Sequence, residues 1–270
     1  MRFVFKYPGA AIILLLILGY ALIAAPAYAA HPLITDDTGT QGKGKFLFEF
    51  NGQMAYENET SAENGGASGT AKEREIEMKA ALTYGVVDSV DVILTAPYIW
   101  KKTEVNDATI SDVNGIADVF LEVKWRFFER DGLSFAVKPG LTLPTGDKDK
   151  DLGAGRVGGT LYFITTKEAG PWAFHLNLGY KRNENQVDER EDIWHASLAG
   201  EYRIVKNLKL VADTGLERNT DKTSSINPAF LLGGFIYSVR ENFDIDLGIK
   251  AGLNDAEVRI AYLAGIALRF

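Results

Sequence analysis

Beyond residue 43, apolar and polar residues alternate with a period of two along most of the chain. Phe243, Ile245, Leu247, Ile249 and Ala251 are apolar, and Asp244, Asp246, Gly248 and Lys250 lie between them. A helix would scatter those aspartates around the apolar stripe, whereas a strand gathers them on the opposite face. The C-terminal segment repeats the pattern, with Val258, Ile260, Tyr262, Ala264, Ile266, Leu268 and Phe270 alternating with Glu257 to Arg269. Nine more segments alternate in the same way: Phe46–Tyr56, Ile76–Tyr84, Val90–Tyr98, Ala117–Phe127, Leu133–Leu143, Val157–Phe163, Trp172–Tyr180, Trp194–Ile204 and Leu208–Leu216. The stretch Phe230–Val239 is apolar throughout, so its facing stays open. With it the pattern predicts twelve strands.

The apolar parity of the other eleven segments carries no Asp, Glu, Lys or Arg. A soluble sandwich would also alternate, but its strands would be shorter. Segments of ~9–14 residues suit tilted strands that cross a bilayer, and closure removes the edges that an open sheet would leave in lipid. Short turns at Val86–Asp88, Glu129–Gly132, Lys167–Gly170, Lys206–Asn207 and Arg240–Asn242 alternate with longer polar links at Glu57–Lys72, Lys102–Asn114, Thr145–Gly153, Asn183–Glu191 and Asn219–Ser225. The expected fold is therefore all-β, a closed antiparallel transmembrane barrel over 44–270 with short periplasmic turns and long outer loops. Tyr84, Tyr98, Trp125, Phe127, Trp172, Tyr180, Trp194, Tyr202, Phe243 and Phe270 fall near segment ends, as interfacial girdles do. Pro97 and Pro139 each remove a ladder donor, so an irregularity is expected at both.

The first residues stand apart. Arg2 and Lys6 precede an apolar run from Gly9 to Ala25, and Ala27-Tyr28-Ala29 supplies small residues for cleavage, so 1–29 reads as a signal peptide. Residues 30–43 then form a polar N-terminal periplasmic segment, which could plug the mouth or hang free. The net charge is -7 at pH 7, and removing two cations makes the mature chain more acidic, which argues against nucleic acid as a partner. There is no cysteine, so no disulfide staples this exported chain.

The parity opposite the apolar face is dense in charge. Its acids are Glu49, Glu73, Glu75, Glu77, Asp91, Asp118, Glu122, Glu201, Asp213, Glu217, Asp244, Asp246 and Glu257. Its bases are Lys45, Lys79, Lys124, Arg126, Lys138, Arg156, Lys181, Arg203, Lys209, Lys250, Arg259 and Arg269. Near balance favours cross-strand ion pairs in a narrow lumen, or a weakly selective pore, over a one-signed substrate track. His175 and His195 also point inward, but two histidines without a third ligand at metal spacing predict ordinary hydrogen bonding and no metal. His175, Asn177 and Ser197 supply the residue types of a barrel lipase, yet they sit on the lumen parity, away from lipid. No catalytic residue and no cofactor is expected. Thr145–Asp151 reads as a solvated loop, and Asn58–Thr70 as a mobile link that gates an entrance or stays a surface feature. His31 has no evident partner.

Three stretches carry a resemblance. They are His31-Pro32-Leu33-Ile34-Thr35-Asp36-Asp37-Thr38-Gly39-Thr40 with Gly42 to Phe46, Asp118 to Phe128, and Gly140-Leu141-Thr142-Leu143-Pro144-Thr145-Gly146-Asp147 with Leu152 to Gly155. Together they resemble the outer-membrane barrels labelled for the meta-pathway of phenol degradation, often called simply transporters. The resemblance implies a Gram-negative outer membrane, contact with its lipid, and passage of small aromatic or hydrophobic molecules. It also implies that Phe270 is the terminal aromatic presented to the barrel assembly machinery. A sealed structural or surface-interaction barrel is the alternative.

Overall fold

The computed structural model describes residues 31–62 and 68–270, with the side chains of 58–70 left aside. The signal-peptide expectation and the tip of the Asn58–Thr70 link lie outside the described residues. Thirteen strands form one antiparallel sheet: β1(Phe46–Ala62), β2(Ser68–Val87), β3(Val90–Val105), β4(Ala108–Ile116), β5(Val119–Arg130), β6(Leu133–Leu143), β7(Gly158–Ala169), β8(Trp172–Arg182), β9(Asp192–Val205), β10(Leu208–Glu217), β11(Ala229–Arg240), β12(Phe243–Gly252) and β13(Ile260–Arg269). β1 pairs with β2 on one side and β13 on the other, and β3 joins β2 to β5, so the sheet closes on itself. Twelve strands make the barrel. The extra one, β4, lies in the link expected to be a loop at Lys102–Asn114 and pairs with β3 beyond the barrel wall. Polar alternation in that link was masked by its turn residues Asn106 and Asp107, both at positive φ.

Both prolines sit at departures from the ladder. β3 exchanges its partner β5 for β4 at Pro97, whose carbonyl accepts the Ala117 N–H at 3.0 Å. Opposite Pro139 the β5–β6 ladder skips Val123 and Lys124, although Pro139 still faces Leu161 of β7. β1, β2 and β3 outrun their forecast segments, with 17, 20 and 16 residues, and project past the barrel at the long-loop end.

The outward face is apolar from strand to strand. Leu94, Leu121, Leu161, Leu178, Leu198, Leu210, Leu231, Leu247 and Ile249 are all exposed. At the short-turn end the tilted rings of Trp172 and Tyr202 lie 4.5 Å apart between centroids, and Tyr84 meets Phe46 at 4.7 Å; at the other end Tyr98 meets Trp100 at 4.4 Å. Such a band flanked by aromatic rings is the surface that acyl chains and headgroups solvate. The unassigned stretch in β11 also resolves: Leu231, Phe235 and Tyr237 face outward, while Phe230, Leu232 and Ile236 are buried inside with Leu33, Val211 and Leu263. β11 is apolar on both faces because its inner face packs against the N-terminal segment.

Placing an arginine on the acyl-facing band tests this facing. Leu247→Arg should destabilise the barrel in lipid vesicles by about 2–4 kcal/mol in a urea unfolding titration; a change near zero would contradict the assignment.

Candidate functional site

Residues 31–43 do not hang below the barrel. They enter the lumen at the short-turn end and run around its inner wall as a belt. The entry needs close backbone approach: Gly44 N–H donates to the Gly85 carbonyl at 2.8 Å, and a Cβ on Gly85 would lie 1.9 Å from the Gly42 oxygen. Only glycine fits there.

From that entry the belt meets successive strands. The Gln41 N–H points at the Asp91 carboxylate of β3, 3.0 and 3.2 Å from its oxygens, and the Thr40 hydroxyl donates to the Asp88 carbonyl at 2.8 Å. Thr38 bonds Thr166 of β7 through its N–H at 3.1 Å and Ser134 of β6 through its hydroxyl. The Asp36 carboxylate accepts from Lys124 of β5 at 2.8 Å and pairs with Lys138 of β6 at 3.0 Å, while its backbone exchanges two hydrogen bonds with Asn177 of β8. Asp213 of β10 accepts three bonds, from the Ile34 N–H at 2.7 Å, the Thr35 N–H at 2.8 Å and the Thr35 hydroxyl at 2.6 Å. At the tip, Pro32 packs on Gly234 and Gly248, where a Cβ would come within 3.0 Å of its ring, and His31 pairs with Asp246. Thr35 and Thr38 are buried. An extended segment without regular structure carries unmet backbone groups, and inward side chains of the wall meet them here.

The belt leaves two spaces. The first, a chamber of about 350 Å³, lies between the belt and the inner face of β1, β2 and β3, with Glu49, Asn51, Gln53, Glu77 and Lys79 on the wall and Leu33 and Ile34 on the belt. The second, of about 290 Å³, lies towards the short turns, with Arg126, Glu168, His175, Glu201, Arg203 and Lys209 on its wall.

The forecast lumen residues fall into distinct groups. Glu122 lies 3.4 Å from Lys138, Glu201 2.6 Å from Lys209 and 3.7 Å from His175, Asp244 2.7 Å from Arg269, and Lys250 2.9 Å from Glu257. Glu77 pairs with Lys79 at 2.8 Å, and Lys101 bridges Glu73 at 3.3 Å and Asp151 at 2.9 Å. Glu75 and Lys181 share the inward parity of β2 and β8. Arg203 is exposed at the short-turn rim. Two residues depart from the expected wall: Arg156 lies in the β6–β7 loop, 3.9 Å from Glu184, and Arg259 precedes β13 with its N–H on Glu57. Both are exposed at the long-loop rim, where the strands stop sooner than alternation suggested. His31, expected to lack a partner, is held by Asp246.

Asp118 is buried but serves the wall rather than the lumen. Its carboxylate accepts the N–H of Gly146 at 2.9 Å and of Ala154 at 2.8 Å, and the Thr145 hydroxyl bridges the break between β4 and β5, donating to the Ala117 carbonyl at 2.8 Å. A Cβ on Gly153 would lie 2.4 Å from Asp118. The Thr145–Gly146 and Gly153–Ala154 stretches are thereby explained as one loop clamp, and the loop expected to be merely solvated is tied down.

His195 stands between Ser197 at 3.0 Å and Glu217 at 3.2 Å, the order of a nucleophile, a base and an acid. Backbone N–H groups beside Ser197 are engaged in the β8–β9–β10 ladder, which leaves no evident donors for an oxyanion. His175 bonds Thr166 at 2.9 Å and Asn177 holds the belt, so neither completes the lipase set considered from sequence. Among the described residues no group of three or more His, Cys, Asp or Glu has metal-site geometry.

Sequence reasoning missed Thr35, Asp36 and Thr38 as site residues, since a belt has no periodicity to betray it. Substituting Asp213→Ala should strand two N–H groups, and amide exchange at Ile34 and Thr35 should accelerate by at least roughly tenfold. Unchanged exchange would mean that the belt is held elsewhere.

Comparison with known proteins agrees with this architecture. A family model described as "Putative MetA-pathway of phenol degradation" matches residues 35–270. No curated protein matches the sequence. Among solved structures, the COG4313 outer membrane channel from Pseudomonas putida F1 aligns with a TM-score of 0.65 at 14% identity, over 87% of this chain and 98% of that one. The translocator domain of the autotransporter NalP from Neisseria meningitidis gives 0.54 at 12%, over 97% and 98%. A TodX mutant described as a monoaromatic hydrocarbon channel gives 0.51 at 11%, over 92% of each chain. At these identities the likeness establishes the fold, that of outer-membrane barrels.

Proposed function

The chain belongs to this phenol-degradation family, and from that premise we propose that it is a passive outer-membrane channel for small molecules, with single-ring aromatic compounds among its solutes. The observation that carries the reading is the chamber of about 350 Å³ left beside β1–β3, a size within the range of small-molecule sites. Its lining is amphipathic, with Leu33, Ile34, Leu47, Ile93 and Leu263 among the acids and amides. A phenol or benzyl compound needs that combination, an apolar wall for its ring and hydrogen-bonding groups for its substituent. Neighbours described as an outer membrane channel and a monoaromatic hydrocarbon channel support the same reading. NalP shares the barrel and is described as a translocator, so the fold alone does not decide it.

In this reading the short turns face the periplasm, cleavage before Ala30 frees the belt, and Phe270 is presented to the assembly machinery. The belt is a fixed lining that narrows the path, and the inward charges, from Glu73, Glu75, Glu77 and Lys79 to Asp244, Asp246 and Lys250, hold that lining and wet the lumen. The belt's dense hydrogen bonding also favours a second reading, a barrel sealed from within whose function lies in its projecting β1–β4 sheet.

Planar-bilayer recording separates the two. The intact protein should conduct weakly, and deletion of 31–41 should raise single-channel conductance by at least about twofold, because pore cross-section limits flow. Silence from both proteins would favour the sealed barrel.

We also read the Ser197–His195–Glu217 row as a structural hydrogen-bond chain and the protein as no enzyme. A fluorophosphonate probe should leave Ser197 unlabelled; stoichiometric labelling lost on His195→Ala would reverse that reading.

A further inference from the structure

Near balance of the inward charges along the sequence hides a spatial segregation. Six carboxylates line the first chamber, those of Asp36, Asp37, Glu49, Glu77, Asp91 and Glu122, against three ammonium groups, Lys79, Lys124 and Lys138, and no arginine. All three ammonium groups are already engaged: Lys79 with Glu77 at 2.8 Å, Lys124 with Asp36 at 2.8 Å, and Lys138 with Asp36 at 3.0 Å and Glu122 at 3.4 Å. What remains is acidic. The carboxylates of Asp37 and Asp91 accept only N–H groups of the belt, although Lys124 also donates to the Asp37 carbonyl, and Glu49 has no ion pair or hydrogen bond among the described residues.

A different kind of group points the same way. Two positions along β1 on the same face, the Asn51 Oδ1 is buried and has no donor among the described residues. It sits beside the His31 and Asp246 pair, since a Cβ on Gly265 would meet all three within 2.7 Å. Glu49 therefore offers an unfilled acceptor to the chamber, and the closed-off Asn51 Oδ1 beside it shows that the belt leaves the acceptors of this face unmet. The second cavity lacks this bias: Asp37, Glu129, Glu168 and Glu201 face Arg126, Arg203 and Lys209. The excess is local to one stretch of the lumen and is not a consequence of overall charge.

We propose that the chamber between the belt and β1–β3 is the selectivity element of the channel, passing cations and hydroxyl- or ammonium-bearing single-ring solutes in preference to carboxylates, with Glu49 setting the preference. The inference rests on the channel reading and narrows its substrate class. The excess of carboxylates over ammonium groups in a confined lumen attracts cations, and a neutral hydroxyl can donate to Glu49, whereas a carboxylate meets repulsion and finds no unpaired ammonium group.

The test is reversal potential across planar bilayers holding the purified full-length barrel, under a roughly tenfold salt gradient. Potassium chloride, benzylammonium chloride and potassium benzoate are used in turn, since the two organic ions are similar in size and opposite in charge. Potassium should permeate at least about threefold better than chloride, and benzylammonium better than benzoate. Glu49→Gln should bring the potassium-to-chloride ratio down by about half, while Glu168→Gln, in the second cavity, should leave it unchanged. A ratio at or below unity, or one indifferent to Glu49→Gln, overturns the selectivity proposal and leaves the channel standing. No conductance from either the intact or the belt-deleted protein overturns the channel reading, and this proposal with it.

Discussion

A backbone N–H or C=O in hydrocarbon has no water to turn to, and each one left unmet costs several kcal/mol. The whole molecule follows from that constraint. Twelve strands satisfy one another edge to edge, and the ring closes when Phe46 and Phe270 exchange backbone hydrogen bonds at 2.7 and 3.0 Å. Closure then imposes two environments on every strand, acyl chains outside and a narrow wet space inside, which the period-two alternation meets residue by residue.

The same constraint acts a second time inside the barrel. The belt is thirteen residues of unpaired backbone placed in a confined space, and the wall must supply its partners. Asp91, Asn177 and Asp213 do so for backbone N–H groups, and Lys124 and Lys138 do so for the Asp36 carboxylate. Charges that would otherwise be costly to keep inside a barrel are thus committed to holding the belt. Among the inward side chains of β1–β3 only Asp91 shares that duty, and there the acids outnumber the bases and space remains. Narrowing and selectivity, in this view, are two consequences of where one segment lies.

Most of the barrel was legible in the sequence because facing is encoded locally: Asp244 and Asp246 can only oppose Ile245 and Leu247 in a strand. Strand ends were less legible, since β1 to β3 continue past the bilayer on residues such as Glu57 and Lys102 that read as loop. The extra strand β4 escaped notice for the same reason. Pairing partners were hidden too. Lys138 and Asp36 are distant in sequence, and nothing local joins His31 to Asp246. The uniform apolarity of Phe230–Leu232 was a visible sign that the barrel interior held something to pack against, although it did not say what. Glycines gave the other trace, since Gly234, Gly248 and Gly265 make room for Pro32 and His31.

The central claim is that solutes pass beside a belt that stays in place. Leu33 of the belt and Leu232 of β11 belong to one buried cluster, and the chain has no cysteine of its own, so Leu33→Cys with Leu232→Cys would fix the belt to the wall reversibly. Single-channel conductance before and after oxidation is the decisive quantity. Equal conductance in the two states is what a fixed lining predicts; a current that vanishes on oxidation and returns on reduction would mean that the belt must leave for the channel to open.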